Sequence, residues 1–279
     1  MALGILTNVA ATYAENNLNQ TQNSLQTVLQ QLSSGSRINS GADDAAGLSI
    51  SDGLGANEAA LTQSAQNAQN GVGLLQTADG ALSQVTTLLD RAVTLATEAA
   101  NGGLTTAQAT AANTEFTSIL TEINNIGTST NFNSTNVFSA TPTSFVVSDG
   151  TSAGTTTISA TVGVLTSASV GGTGGQSLSS DSLTSTGAAT TALQDVTKAI
   201  ADISAQRGNI GADINQLNAA ANVASSEEVN LSSAQSAILS TNYGQATSDL
   251  AKYQVLSQTG ISALAQANSV QQEILKLLQ

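Results

Sequence analysis

Residues 193–238, "LQDVTKAIADISAQRGNIGADINQLNAAANVASSEEVNLSSAQSAI", decide the architecture. Leu193, Val196, Ile200, Ile203, Arg207, Ile210, Ile214, Leu217, Ala221, Ala224, Glu228, Leu231, Gln235 and Ile238 fall in alternating steps of three and four. Eleven of these fourteen rungs are apolar, which is the seam of a coiled-coil helix. At 1.5 Å per residue such a helix is roughly 70 Å long, far beyond an ordinary globular helix, so the stretch predicts an elongated, mainly α rod.

A partner lies upstream. Leu61, Ala65, Ala68, Val72, Leu75, Ala78, Leu82, Val85, Leu89, Ala92, Ala96 and Ala99 form a second ladder with one sustained seam. "NGG" at residues 101–103 ends it, and Phe116, Ile119, Ile123 and Ile126 mark a shorter helix that returns antiparallel. Leu82, Val85 and Leu89 with Ile203, Ile210 and Leu217 are the expected packing residues of this bundle. Arg207 interrupts the apolar seam, either as an assembly contact, as a snorkelling side chain, or as a salt link to an acid of the neighbouring long helix.

The termini carry thinner ladders. Gly4, Ala11, Leu18, Leu25 and Leu32 repeat every seven residues, and Thr7, Ala14, Thr21 and Val28 repeat at an offset of three. At the other end the rungs are Leu256, Gly260, Ala263, Ala267, Val270, Ile274 and Leu277. Small seam residues bury little area, so each terminal helix gains little alone and is expected to find its order with partners. Charge is nearly absent: Glu15 is the one acid of residues 1–36, and residues 243–279 hold only Asp249, Lys252, Glu273 and Lys276. Such helices can be packed inside an assembly at small desolvation cost.

Between the helical halves, residues 139–186 change character. They hold the single proline, a "DG" turn between two β-branched runs, and a Ser/Thr/Gly-rich remainder. A β-hairpin in an exposed, solvated surface insert is expected.

Composition narrows function. The 279 residues include no histidine or cysteine, and 3% are aromatic. Most of the side chains that do nucleophilic, general-base or soft-metal chemistry near neutral pH are thereby removed, and an enzyme would have to work with carboxylates. A His-Glu-x-x-His zinc protease is excluded, and no catalytic, cofactor or metal residue is assigned. A net charge of −13 opposes nucleic acid and anionic membrane as partners. The first thirty residues have neither a basic start nor a continuous apolar run, so no cleaved signal peptide or membrane span is expected there.

"LSSGSRINSGADDAAGLSIS", residues 32–51, connects the terminal seam to the long helix. Ser40 is the expected N-cap, with Asp43 and Asp44 in the first turn against the helix dipole. Gly35 and Gly41 supply the bend, and Asp43 or Asp44 is the expected partner of Arg37. Two adjacent carboxylates offer too few spaced oxygens for calcium and would repel a phosphate, so the stretch reads as a joint.

This stretch closely resembles the N-terminal signature of bacterial flagellins. The likeness continues in "AQNAQNGVGLLQTADGAL", "EINNIGTSTNFN", "QRGNIGADINQLN" and "VLSQTGISALAQANSVQQEILKLL". It covers roughly residues 1–138 and 187–279 and skips the insert. Ser269 stands where the family commonly has proline.

The resemblance implies a hairpin-shaped subunit of the flagellar filament, extracellular and not an enzyme. Residues 1–40 would form the N-terminal inner helix and the start of a spoke, and 41–138 the N-terminal part of an outer helical domain. Residues 139–186 would be the variable insert, 187–242 the outer C-terminal helix, and 243–279 the inner C-terminal helix. Leu18, Leu25, Val28, Leu32, Leu256, Ala263, Ala267, Val270, Ile274 and Leu277 would form the inner assembly seam. The spoke would comprise Gly35, Arg37, Ile38, Asn39, Gly41, Asp43 and Asp44. Implied partners are further copies of the chain, the flagellar type III export apparatus and an export chaperone, the filament cap and the hook-filament junction proteins. Arg91, Leu95 and Glu115 align with positions contacted by the Toll-like flagellin receptor. A hook-filament junction protein shares the terminal heptads and is the alternative, followed by a secreted adhesin using the insert.

Overall fold

The structure, a computed structural model, describes residues 8–150 and 156–277, with side chains through Glu273. Among the described residues the chain runs α1 (Val9–Ser34), α2 (Ala45–Ala100), α3 (Thr106–Ser129), β1 (Asn131–Phe132), β2 (Thr135–Asn136), β3 (Thr143–Val146), β4 (Thr157–Ala160), α4 (Thr186–Leu239) and α5 (Tyr243–Leu277). It is mainly helical with two small antiparallel hairpins. Two compact units emerge: one from the residues up to Ala56 together with those from Leu231 on, the other Asn57–Asn230.

The second unit holds the large core. Every rung of the two long ladders that falls within it is buried or half-buried, and Leu75, Val85, Leu89, Ile203 and Leu217, with Phe116 and Ile123 of α3, have essentially no solvent exposure. Regular three-and-four spacing puts these side chains on one face of each helix, and mutual coverage of those faces is what stabilises helices of such low intrinsic hydrophobicity. α3 begins with a capping box in which Thr105 and Gln108 satisfy each other's exposed backbone donors. Its Phe116, Ile119, Leu120 and Ile123 close over the same core.

The insert departs from expectation. β3 and β4 do pair, with Thr143 opposite Ala160 and Val146 opposite Thr157. The remainder of 139–186, however, is no solvated surface appendage. Ile158, Ala160, Val162, Leu165, Val170, Leu178 and Leu183 are buried in the main core. Polar side chains of the helices stitch this segment down. Asn124 of α3 bonds both the backbone and the side chain of Ser167, and Asn113 accepts from the Leu183 amide. From α4, Gln206 donates to the carbonyls of Thr161 and Val162, and Asp202 accepts from the Gln176 amide. The low-complexity composition hid seven buried apolar residues spaced too irregularly for either helical or strand periodicity. Gly127 of α3 shows how close the approach is: a Cβ there would overlap the Leu165 carbonyl oxygen.

In the first unit, α1 and α5 pair antiparallel. Asn8 at the start of α1 donates to Ala267, Leu18 lies against Gly260, and the Gly35 carbonyl at the end of α1 accepts from Thr241 just before α5. Each helix is thus the other's first partner. On α1 the expected seam faces inward: Val28 is buried, and Ala11, Ala14, Leu18, Thr21, Leu25 and Leu32 are half-buried. On α5 the seam is shifted. Ala246 is buried and Leu250, Tyr253, Ser257, Gly260, Leu264 and Ala267 are half-buried, whereas Leu256, Ala263 and Val270 point to solvent. Both ladders share Gly260 and Ala267, so spacing alone could not choose between them. Gly4, Thr7 and the side chains of Ile274 and Leu277 lie outside the described residues.

Candidate assembly faces and the connector between helix pairs

The chain must leave α1, turn, and enter α2, then later leave α4 and enter α5. The first unit brings these two connectors together. α1 ends at Gly35, whose φ of 72° is left-handed and whose amide bonds the Gln31 carbonyl. Only glycine takes that conformation freely. Ser36 and Ser240 form an antiparallel bridge, and the Arg37 amide donates to Leu239 at 2.6 Å. Ile38 is buried, and Asn39 donates its side-chain amide to the Ser36 carbonyl.

Arg37 makes its short contacts to a backbone carbonyl. Its Nε and Nη2 donate to Ile238 at 3.3 and 2.9 Å, in the last turn of α4, while Asp44 is 3.8 Å away. The last carbonyls of a helix lack intrahelical donors and carry the negative end of its dipole, so a guanidinium there both satisfies and neutralises. Of the two acids expected to pair with it, Asp44 does so at 3.8 Å, while the Asp43 carboxylate is taken up by donors of Asn39 and Ser40.

The start of α2 is also corrected. Ser40 is not its N-cap, and neither aspartate lies in its first turn. Asp44 caps it, its Oδ1 accepting from the Gly47 amide at 2.8 Å, and the helix begins at Ala45. Asp43 Oδ2 instead accepts from the Asn39 amide, the Ser40 amide and the Ser40 hydroxyl. These three donors, the Asn39 amide foremost, hold its carboxyl below the usual carboxylate range. Gly41 does not have a positive φ and has room for a side chain, so the bend rests on Gly35.

Two further arginines tie helices of the second unit. Arg207 of α4 forks onto Asp79 of α2 at 2.7 and 3.3 Å. Arg91 of α2 forks onto Glu115 of α3 at 2.6 and 3.0 Å. Hydrogen bonding to the partner is the main cause that raises each arginine and lowers Glu115. Leu95 does not share the surface with Arg91 and Glu115. At 3% exposure it belongs to the core, since its place on α2 is on the inward face.

The outward faces of α1 and α5 are the notable surface. Among the described residues, twelve large apolar side chains are exposed, and eight of them lie on these two helices: Val9, Tyr13, Leu29, Tyr243, Val255, Leu256, Ile261 and Val270. Those off the expected seams, Val9, Tyr13, Leu29, Tyr243, Val255 and Ile261, leave no periodic mark, although apolar residues on every side of a nearly uncharged helix were the available signal. Among the described residues no group of acids could hold a metal ion, and no helix is long and apolar enough to cross a membrane.

Comparison with known proteins places this geometry in context. The N-terminal helical region of bacterial flagellin matches residues 5–143, and its C-terminal helical region matches residues 193–278. A flagellar filament 30.7 kDa core protein of Treponema maltophilum is 31% identical over 279 residues, spanning 97% of this chain and 98% of its own. Flagellin FlaB2 of Treponema pallidum is 30% identical with the same coverage. A flagellin of Serratia marcescens reaches 44% identity over 140 residues, 50% of this chain and 40% of its own. The crystal structure of Bacillus cereus flagellin gives a TM-score of 0.47 at 26% identity, covering 57% of this chain and 88% of that one.

Proposed function

This chain belongs to the bacterial flagellin family, and from that premise we propose that it is a structural subunit that polymerises with copies of itself into a flagellar filament. The observation that carries the reading is the outward apolar surface of the α1/α5 pair, nearly free of charge along both helices. An isolated soluble molecule has no use for such a surface, and a second copy offers a matching one. Residues 1–40 and 243–279 then serve as the inner assembly helices, and 41–138 with 187–242 as the outer helical domain. Residues 35–44 serve as the spoke between them.

In this reading the chain acts outside the cell as a building element, with no catalytic role. It reaches the growing filament through the flagellar type III export apparatus with an export chaperone, and meets the cap and the hook-filament junction proteins. Arg91 and Glu115 form the exposed part of any contact with the Toll-like flagellin receptor, and they would meet it as a preformed pair.

The test is seeded growth. Purified full-length protein is added to filament fragments and imaged by electron microscopy beside a chain lacking residues 1–36 and 244–279. Elongation by the full-length chain alone is the expected result. Full-length protein that stays monomeric on the seeds would overturn the reading.

A further inference from the structure

We infer that Asn101 is a site of spontaneous deamidation, converting to aspartate and isoaspartate at the α2–α3 turn, while the chain's other Asn-Gly pair is protected by its helix. The sequence has two such pairs, Asn70-Gly71 and Asn101-Gly102. Glycine matters because the reaction needs the following backbone nitrogen to reach the side-chain carbonyl, and only glycine leaves that approach unhindered and the backbone free to swing.

The chemistry balances without an enzyme or cofactor. The Gly102 amide loses its proton to base, and its nitrogen attacks Asn101 Cγ. A new N–Cγ bond forms, the Cγ–Nδ2 bond breaks, and ammonia leaves carrying the returned proton. The resulting five-membered imide is opened by water. Cleavage at the side-chain carbonyl gives aspartate, and cleavage at the main-chain carbonyl gives isoaspartate. The net change is one water in and one ammonia out.

The two pairs sit in opposite surroundings. Asn101, Gly102 and Gly103 are all exposed, just past the end of α2. Gly102 has φ 67° and its amide makes no hydrogen bond among the described residues, so the nucleophile is free of a backbone acceptor. Gly71 lies in the interior of α2, where its amide belongs to the helical ladder and its nitrogen is held away from the preceding side chain. It is also buried, with Leu217 and Phe145 packed over its α-carbon. Asn70 can react only after α2 opens locally, and opening a core helix costs enough to slow the step by well over about tenfold.

Conversion adds one negative charge to a chain already at −13, beside Glu98, whose carbonyl accepts from the Asn101 amide. Isoaspartate also inserts a methylene into the main chain. The inference does not depend on the filament reading, because it concerns one turn of the folded chain.

The experiment ages the full-length folded protein in mildly alkaline buffer, then maps isoaspartate by methyltransferase labelling and peptide mass spectrometry. The same protein in urea is the unfolded reference, and Asn101→Gln is the silent control. Folded protein should accumulate isoaspartate at 101 at least about tenfold faster than at 70, with both reacting in urea. Equal rates at the two positions in folded protein would overturn the inference. So would an inert Asn101 that reacts only in urea, or an undiminished isoaspartate yield in Asn101→Gln.

Discussion

At the residue scale, the connector shows two aspartates, adjacent in sequence, doing different work. Asp44 caps α2, so Asp44→Ala should cost about 1 kcal/mol, the ordinary value of a lost N-cap, readable as a lower urea midpoint. An unchanged midpoint would show that the cap contributes nothing. Asp43 makes a pH-dependent contribution. Its folded pKa is lowered, so its contribution is present above the ordinary carboxylate range and is lost as pH falls through the lowered value. Asp181 has the opposite sign. One of its carboxylate oxygens is buried without a hydrogen-bond partner, and burial, then Asp195, raises its pKa. Its favourable state is the protonated one, fully present below the ordinary carboxylate range and lost as pH rises through the raised value. Asp181→Asn should therefore raise the melting temperature at neutral pH and flatten its decline above the acid range. Melting curves of Asp43→Asn and Asp181→Asn across the acid range distinguish these signs. A lower neutral melting temperature in Asp181→Asn would contradict the assignment.

How much of this was legible follows from what each residue does. A joint at residues 32–51 was readable because glycines and acids between two apolar ladders have few other uses. Which residue caps α2 was not, since Ser40, Asp43 and Asp44 are all competent caps and the choice depends on where the chain actually turns. Arg37's ion pair with Asp44 was legible as charge beside charge, but its shorter contacts to the Ile238 carbonyl were not, because a carbonyl acceptor leaves no mark in a side-chain pattern.

At the element scale, the long ladders translated directly. Twelve rungs in α2 and fourteen in α4 all lie on the inward faces, because three-and-four spacing maps onto a helix face whatever the fold around it. The insert did not translate, because its burial depends on side chains of α3 and α4 that are distant in sequence. The short β1–β2 hairpin was also missed: its turn uses Asn133 and Ser134 at positive φ, and serine there is a poor turn signal. Gly127→Ala separates local from tertiary effects. Helix propensity alone would favour alanine by about 1 kcal/mol, but the overlap with Leu165 forces repacking that typically costs 1–3 kcal/mol, roughly the range of overpacked cores. The clash should win or at best balance, and the urea midpoint should not rise. A stabilised Gly127→Ala would show that 157–183 is not held against α3. Removing residues 157–183 should likewise broaden the unfolding transition by exposing the core of the second unit, which a free surface loop would not do.

At the scale of the whole molecule, stability and assembly are separable. Large buried side chains concentrate in the second unit, and unpartnered apolar ones concentrate on α1 and α5. Tyr13→Glu with Ile261→Glu places charge on exposed positions of both terminal helices. The pair should abolish seeded elongation while leaving the melting temperature of the free chain within about 0.5 kcal/mol equivalent of the parent, as for ordinary surface changes. Elongation at the parent rate would mean that the outward faces are not the polymer contacts.

The most direct test of the central claim is a cryo-electron microscopy reconstruction of filaments grown from this chain. The account predicts that Val9, Tyr13, Val255 and Ile261 become buried between subunits, while the packing of Leu82, Leu89, Ile203 and Leu217 within each subunit is unchanged. Filaments in which those four terminal residues stay open to solvent would contradict it.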